Sequence, residues 1–411
     1  MNDDTEDIKR WTARRKAAVM TWGQTNYRDS SCHAICIEYS GGMRRSRWLA
    51  PWKDSLVKPA IYHCVSRVVD RRFVFGDAER EQFRIYLRMY ENFSGCRILS
   101  YCIMSNHFHV LLEVPPMPQG GLTDEELLKR LRAIYSDAVV TLAEKELADA
   151  REKNLDAVAT AIHARYTYRM HDLSQFMKTV LQRMTRWYNL SNQRKGTLWE
   201  ERYKSVIVES GVAARMMAAY IDLNPVRAGM VKDPAEYRWS SYGEAVGGGA
   251  KGNGKKAREG LVRACMSHKG AGFEAEKWKE VARVYRKLLG MALERKAGRA
   301  GEMVAAEKKK RLAAITEKSL QQGAKPDPNA AKGDDNETVL REMEMAAMLR
   351  HRVRYFTAGA VIGSKMFVNE AFAQARERFG QKRKDGARKM RGSAEAVAGA
   401  LWTARDLRLE V

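Results

Sequence analysis

The sequence predicts an α+β fold built around a four-stranded antiparallel sheet. In the first part of residues 106–114, polar and apolar side chains alternate, a pattern typical of a β-strand. Residues 173–190 carry apolar side chains at the spacing of an amphipathic helix. Between two strand-like runs, Ser105-Asn106 indicates a tight hairpin turn.

The remaining elements follow in chain order. We expect a first strand at 59–67, and then a helix capped by Asp77 in which Phe83, Leu87 and Tyr90 form an apolar stripe. The other expected elements are strands at 97–104, 107–114 and 201–209 and helices at 173–190 and 213–223. The order β-α-β-β-α-β-α predicts the ferredoxin-like layout, with the helices on one face of the sheet.

A helical arm interrupts this order at about residues 120–171. Thr123 and Glu126 form a capping-box pattern ahead of an apolar helical run. Such an arm either serves packing alone or contacts a ligand or partner, and the sequence leaves both open.

The chain divides by composition into four parts. We expect residues 1–42 to be a disordered leader or an incorrectly assigned extension, and residues 43–243 to form one domain that contains the arm. The glycines in residues 244–259 predict a flexible linker. We expect residues 260–411 to be basic and mainly helical, either binding DNA or serving only to pack.

The charge indicates the class of partner. The formal net charge is +23, and its lysines and arginines are spread along the chain. This predicts a nucleic acid partner, with a basic but inert surface as the alternative. No apolar run reaches the roughly 20 residues that span a bilayer, so we expect no membrane partner.

The cysteines show no CxxC spacing, which favours neither a zinc site nor a disulfide framework. We therefore expect a cytoplasmic protein. They are Cys32, Cys36, Cys64, Cys96, Cys102 and Cys265. The sequence also lacks the GxxxxGK[ST] phosphate loop, so we expect no nucleotide cofactor.

His107 and His109 are the candidate metal ligands. Alternate side chains of a strand share one face, so the two imidazoles project together while Phe108 enters the core on the other face. Two imidazoles held side by side form half of a divalent metal site. Two ordinary strand residues are the alternative, because so short a motif recurs by chance.

Tyr220 and Asn224 are four residues apart and face the same way if the segment is helical. With the histidine pair, they suggest a metal-assisted tyrosine nucleophile acting on a phosphodiester. Taken singly, Tyr220 could be a core aromatic, and Asn224 before Pro225 could end a helix.

Four motifs within residues 44–243 resemble those of single-tyrosine HUH transposases, and among them the REP-associated tyrosine transposases. The motifs are YHCVSR at 62–67, MSNHFHVL at 104–111, GTLWEERYKS at 196–205 and YIDLNPVRAGMV at 220–231. The resemblance implies that His107 and His109 bind Mg²⁺ or Mn²⁺, that Asn224 completes the metal site and that Tyr220 attacks DNA.

The same resemblance implies a metal-dependent endonuclease and strand transferase of single-stranded DNA. Its intermediate would be a 5′-phosphotyrosine, and its substrate would lie next to a hairpin or palindromic repeat. The arm and the C-terminal extension depart from compact family members, which leaves a monomer and a homodimer both open.

Five residues are candidate DNA contacts. Arg202 and Lys204 suit backbone phosphates, and Trp199 suits stacking on an unpaired base, with a core position as its alternative. Arg67 and Arg227 are further phosphate candidates, although exposed arginines are common.

Three other side chains compete for roles at the site. Tyr188 and Tyr203 are rival nucleophiles, but neither has an amide one helical turn later. His63, on a neighbouring strand, either approaches the site or is a buried structural residue, and we expect the second.

Two other functions stay open. One is a domesticated DNA- or RNA-binding regulator without catalysis. The other is a replication initiator or relaxase, which the LNPVR motif at 223–227 and the lack of a helicase motif disfavour.

Overall fold

The computed structural model describes residues 47–247, 254–266, 275–293, 345–349, 355–379, 385–390 and 400–404. The leader expected over residues 1–42 lies outside the described residues. Within the described ranges, no helix is both long enough and apolar enough to cross a membrane.

Four strands form an antiparallel sheet in the order β2-β3-β1-β4. They are β1 (Ala60–Arg67), β2 (Arg97–Ile103), β3 (His107–Val114) and β4 (Lys204–Val208). On β1, Arg67 pairs with His107 of β3, and Val65 pairs with both His109 and Lys204. This order and pairing confirm the predicted α+β, ferredoxin-like fold.

Two helices pack on the face of the sheet that carries Phe108. They are α1 (Asp77–Ser94) and α5 (Leu173–Ser191), which also contact each other. The Phe108 ring meets that of Phe83 from α1, with centroids 4.9 Å apart at 72°. This apolar layer is the core that the alternation in β3 predicts.

A third helix, α6 (Val212–Asp222), packs on the opposite face, against β2 and β3. Its Tyr220 meets His109, the neighbour of Phe108 in β3. The expectation that all helices lie on one face is therefore wrong. The physical reason is visible in α6, which is apolar nearly all round and so is buried between the sheet and further helices.

The arm contains three helices, α2 (Asp124–Leu131), α3 (Asp137–Glu152) and α4 (Asp156–Thr167). The Thr123 hydroxyl accepts a hydrogen bond from the Glu126 amide at 3.2 Å, which caps α2 as the sequence predicts. Buried leucines of α2 then hold the arm against α1.

Residues 244–259 are not a flexible linker where the structure describes them. After the short helix α7 (Asn224–Arg227), the next helices are α8 (Ser241–Gly247) and α9 (Gly254–Cys265), while residues 248–253 lie outside the described part. Helix α9 packs on β2, where a Cβ at Gly260 would lie 2.3 Å from the carbonyl oxygen of Ile98. Glycine here allows close approach of a helix to a strand.

The C-terminal region is not only helical, because it adds three strands to the sheet. Helices α10 (Ala275–Leu293), α11 (Tyr355–Ala358) and α12 (Lys365–Gln374) accompany strands β5 (Val361–Gly363), β6 (Arg388–Lys389) and β7 (Trp402–Ala404). Strand β5 pairs with β4 in parallel, and the sheet continues as β5-β7-β6. Strands of two or three residues are too short to show a period of two in sequence.

Candidate active site

The two predicted metal ligands lie side by side on β3. The ring centroids of His107 and His109 are 5.1 Å apart, with the ring planes at 80°. His109 is 3% exposed, whereas His107 is partly exposed. The structure therefore brings the two imidazoles together on one face of the sheet, at the start of β3.

Both imidazoles are neutral at pH 7. Burial and then the charge of Arg67, which lies opposite it, together lower the pKa of His107 to about 4. Burial and then the neighbouring His107 and His63 hold the pKa of His109 well below its usual range. Neutral imidazole is the form that binds a metal ion.

A hydrogen bond from His107 to Asn106 assigns the tautomer of His107. The side-chain oxygen Oδ1 of Asn106 lies 2.7 Å from Nδ1 of His107. An amide oxygen only accepts, so Nδ1 carries the proton. The lone pair of a neutral His107 is then on Nε2.

A chain of hydrogen bonds through His63 assigns the tautomer of His109. The carbonyl oxygen of Phe356 lies 2.7 Å from Nδ1 of His63, which must donate. Burial lowers the pKa of His63 to about 4, so its Nε2 is unprotonated and accepts from Nδ1 of His109 at 3.0 Å. The lone pair of His109 is therefore also on Nε2.

Tyr220 of α6 lies against this histidine cluster. Its ring centroid is 5.9 Å from that of His109 and 6.2 Å from that of His63. On its other side the Phe356 ring stacks at 4.6 Å and 21°. Burial raises the pKa of Tyr220, although Arg227 acts in the opposite direction, so the hydroxyl is protonated at neutral pH.

Asn224 and Arg227 are both tied to the end of α6. The amide nitrogen of Asn224 donates to the carbonyl oxygens of Tyr220 at 3.1 Å and Ile221 at 3.3 Å. The guanidinium of Arg227 lies 5.1 Å from the Tyr220 ring centroid and donates to the carbonyl oxygens of Tyr220 and Leu349. Asn224 thus follows Tyr220 by one turn, as the sequence predicts.

These donors fit a divalent cation of the kind that the resemblance implies. Within the described ranges, no group of three or more His, Cys, Asp or Glu side chains could hold a metal ion. The predicted set is a different one, the Nε2 atoms of His107 and His109 with the amide oxygen of Asn224. Imidazoles whose Nδ1–H is already engaged are typical of metal ligands, and an amide oxygen is a donor that suits Mg²⁺ or Mn²⁺.

The predicted basic DNA contacts lie around the start of β3. Arg67 is exposed at the end of β1, opposite His107. Arg202 and Lys204 are exposed before and at the start of β4, where Lys204 lies 3.6 Å from Glu201. Of the five candidate contacts, these three present charge to solvent.

Trp199 belongs to the core and not to the surface. It is 9% exposed, and its ring contacts Phe75, Phe83 and Phe108. Its indole N–H donates to the Leu181 carbonyl at 3.3 Å. A base cannot stack on a ring that is enclosed in this way, so the core alternative is the correct one.

One exposed aromatic side chain, Phe73, is not among the candidates that the sequence patterns indicate. Phe73, in the loop after β1, is 82% exposed. The available signal was its position directly after Arg71-Arg72 and outside any alternating or helical pattern.

Neither rival tyrosine lies at the histidine pair. Tyr188 is in α5, on the opposite face of the sheet from α6. Tyr203 is buried, with the guanidinium of Arg47 at 3.4 Å over its ring. Among the three tyrosines, Tyr220 is the one whose ring contacts His109.

Comparisons with known proteins address the family directly. Residues 56–119, which contain β1, β2, β3 and both histidines, match the model of the IS200-like transposase family. No curated protein matches the chain. A solved structure of a REP-associated tyrosine transposase bound to a REP hairpin is similar at 13% identity and a TM-score of 0.31, covering 57% of this chain and 96% of that one. The family match over residues 56–119 confirms the resemblance, and the part of the chain that carries the histidine pair is similar to the IS200-like transposases.

Proposed function

We propose that this chain is a transposase, a metal-dependent endonuclease and strand transferase that cuts single-stranded DNA with Tyr220. The observation that carries the proposal is the contact of the Tyr220 ring with His109, at 5.9 Å between centroids. It joins a phenol from α6 to two neutral imidazoles of β3, although the two elements are about 110 residues apart in sequence.

Each part of the site has a distinct task. A divalent cation, Mg²⁺ or Mn²⁺, held by His107, His109 and Asn224 would offset charge on the scissile phosphate. Asn106 and His63 orient the two imidazoles, each through an Nδ1–H bond. The Arg227 guanidinium beside the Tyr220 ring suits contact with a phosphate oxygen.

The covalent step exchanges one phosphoester for another. The phenol oxygen of Tyr220 bonds to phosphorus while the bond from phosphorus to the 3′ oxygen breaks. The phenol loses a proton and the departing 3′ oxygen gains one, leaving a 5′-phosphotyrosine and a free 3′-hydroxyl. The exchange is nearly isoenergetic, so a 3′-hydroxyl can reverse it and join strands without a nucleotide cofactor.

The charge of the chain supports DNA as the partner. The formal net charge is +23, and Arg67, Arg202 and Lys204 are exposed near the histidine pair. The preference for hairpin or palindromic repeat DNA rests on the resemblance of the sequence motifs, and the cytoplasmic location rests on the pattern of the cysteines. A monomer and a homodimer both stay open.

One observation favours the alternative, a DNA- or RNA-binding regulator that has lost catalysis. Phe356 stacks on Tyr220, and the Leu349 carbonyl accepts a hydrogen bond from Arg227. Two side chains that the reaction would use, Tyr220 and Arg227, are thus already in contact with the C-terminal extension. Such a protein would bind DNA without cutting it.

The distinguishing experiment mixes the full chain with end-labelled hairpin DNA that carries single-stranded flanks, together with Mn²⁺ or Mg²⁺. A denaturing gel then separates free DNA from DNA joined to protein. We expect a metal-dependent covalent adduct that Tyr220→Phe and His107→Ala both abolish. Tight binding with no adduct across a panel of hairpins would instead support the regulator.

A further inference from the structure

The loop between β1 and α1 carries the most exposed large apolar side chain of the described residues, Phe73 at 82%. A single exposed hydrophobic residue is common and needs no explanation by itself. The surroundings of Phe73 are what distinguish it.

The backbone on both sides of Phe73 is fixed. Before it, the amide of Val68 donates to the Asn106 carbonyl at 2.8 Å, and that of Val69 donates to the Leu198 carbonyl at 3.0 Å. After it, the amide of Phe75 donates to the Ser105 carbonyl at 2.9 Å. The ring is therefore presented to solvent from a loop whose ends are held, which limits the entropy lost when a ligand stacks on it.

The loop is also joined to the histidine pair through one side chain. The amide nitrogen of Asn106 donates to the Arg71 carbonyl at 2.9 Å, while the amide oxygen accepts from His107. The same amide thus sets the position of the loop and the orientation of a candidate metal ligand. A nucleotide on this loop would lie next to the site of cleavage.

The charge around the ring suits a polyanion. Arg67, Arg71 and Arg72 are exposed on the same loop or at its start. The nearby carboxylates include those of Asp70, of Glu200, whose oxygen lies 4.0 Å from Nε of Arg71, and of Glu201, which lies 3.6 Å from Lys204. With Arg202 and Lys204 following Glu200, positive side chains remain in excess, which suits a phosphate backbone with an unpaired base against an aromatic ring.

We propose that Phe73, flanked by Arg71 and Arg72, is a stacking platform for an unpaired base of single-stranded DNA beside the His107–His109 site. The assignment rests on the proposed function and adds a binding residue to it. Phe73 takes the role that the buried Trp199 cannot fill.

The test measures DNA binding by the full chain in EDTA, so that cleavage does not contribute. The probe is a fluorescently labelled hairpin with a single-stranded oligothymidine tail, and fluorescence anisotropy measures its binding. We expect Phe73→Ala to weaken binding about 5- to 100-fold and Phe73→Tyr to restore it, the range that stacking on one base supplies. The matched control is Met366→Ala, which removes another highly exposed apolar side chain, at 79%, from α12.

A scan with abasic nucleotides separates stacking from a merely structural effect. If Phe73 stacks on one base, removing that base weakens wild-type binding but adds no further loss in Phe73→Ala. Arg71→Ala and Arg72→Ala should each reduce the salt dependence of binding, by about 0.7 in the slope of log K against log salt for each phosphate that is no longer neutralised.

The outcomes distinguish this inference from the proposed function. If Phe73→Ala binds the probe as tightly as the wild type does, the stacking platform is overturned but the proposed function is not. The same holds if every abasic probe loses the same affinity for the wild-type chain. Failure of the wild-type chain to bind any single-stranded probe would overturn the proposed function and the platform together.

Discussion

Nε2 of His63 lies 3.0 Å from Nδ1 of His109, and this contact ties a candidate metal ligand to the C-terminal extension. The far side of the His63 ring donates to the Phe356 carbonyl at 2.7 Å. The sequence suggests that His63 is a structural residue, and it is indeed buried. It also orients His109, the imidazole that contacts Tyr220.

Loss of this hydrogen bond should weaken metal binding. In His63→Phe the Nδ1–H of His109 has no acceptor, so we expect Mn²⁺ affinity to fall about 10- to 100-fold. Electron paramagnetic resonance of free Mn²⁺ during a titration measures this, with Asn106→Ala as the equivalent change at His107. A folded His63→Phe protein with wild-type Mn²⁺ affinity would contradict the orienting role.

Removal of the Phe356 ring should expose Tyr220. The Phe356 side chain is fully buried and stacks on the phenol at 4.6 Å. In Phe356→Ala we expect tetranitromethane to nitrate Tyr220 faster than in the wild type. Peptide mass spectrometry measures the nitration of each tyrosine. Tyr62 and Tyr101, both buried elsewhere, are internal controls and should stay protected. Equal nitration of all three would indicate general unfolding instead of local exposure.

Trp199 should matter for stability and not for DNA affinity. Its ring fills a cluster with Phe75, Phe83 and Phe108, so Trp199→Ala should lower the free energy of unfolding by about 3–5 kcal/mol. Urea denaturation measures this change, and Trp199→Phe should cost less. DNA affinity per folded molecule should stay near the wild-type value, and a stability close to wild type in Trp199→Ala would contradict the core position.

Stability should depend on pH through His63. Its pKa is about 4 in the folded protein and about 6.5 as a free side chain, so the unfolded chain binds more protons between these values. The contribution of His63 to the free energy of unfolding should therefore decrease as pH falls from 6.5 to 4, by up to about 1.4 kcal/mol per pH unit.

Asp222 acts in the opposite direction over this range, because burial raises its pKa to about 7. The measurement therefore compares wild type with His63→Gln in EDTA, which leaves Asp222 in both proteins. The difference in unfolding free energy should shrink as the pH falls. A difference that does not vary with pH would show that His63 is not held neutral.

Much of the central sheet could be predicted because β1, β2 and β3 each have seven or eight residues and a short turn joins β2 to β3. The hairpin of β2 and β3 turns at Ser105-Asn106 as expected, and Arg67 meets His107 across β1 and β3. Helix α1 begins at Asp77, the residue expected to cap it, and α5 begins at Leu173 as predicted, since capping and apolar spacing are both local signals.

The errors come from contacts that no local pattern records. Residues 254–259 read as part of a linker, yet they belong to α9, which approaches the carbonyl oxygen of Ile98 at Gly260. Trp199 in a basic segment looks like a stacking residue until Phe83 and Phe108 are seen around it. The three-residue strand β5 joins the sheet through pairing with β4, about 150 residues earlier in the chain, which periodicity cannot reveal.

The most direct test of the central claim is to identify which tyrosine becomes joined to DNA. The chain would react with hairpin DNA and Mn²⁺, nuclease would trim the DNA to a nucleotide remnant, and peptide mass spectrometry would locate that remnant. We predict that it lies on Tyr220, the tyrosine that contacts His109. A remnant on Tyr188 or Tyr203 would contradict the assignment of the nucleophile and the role of α6 in the site.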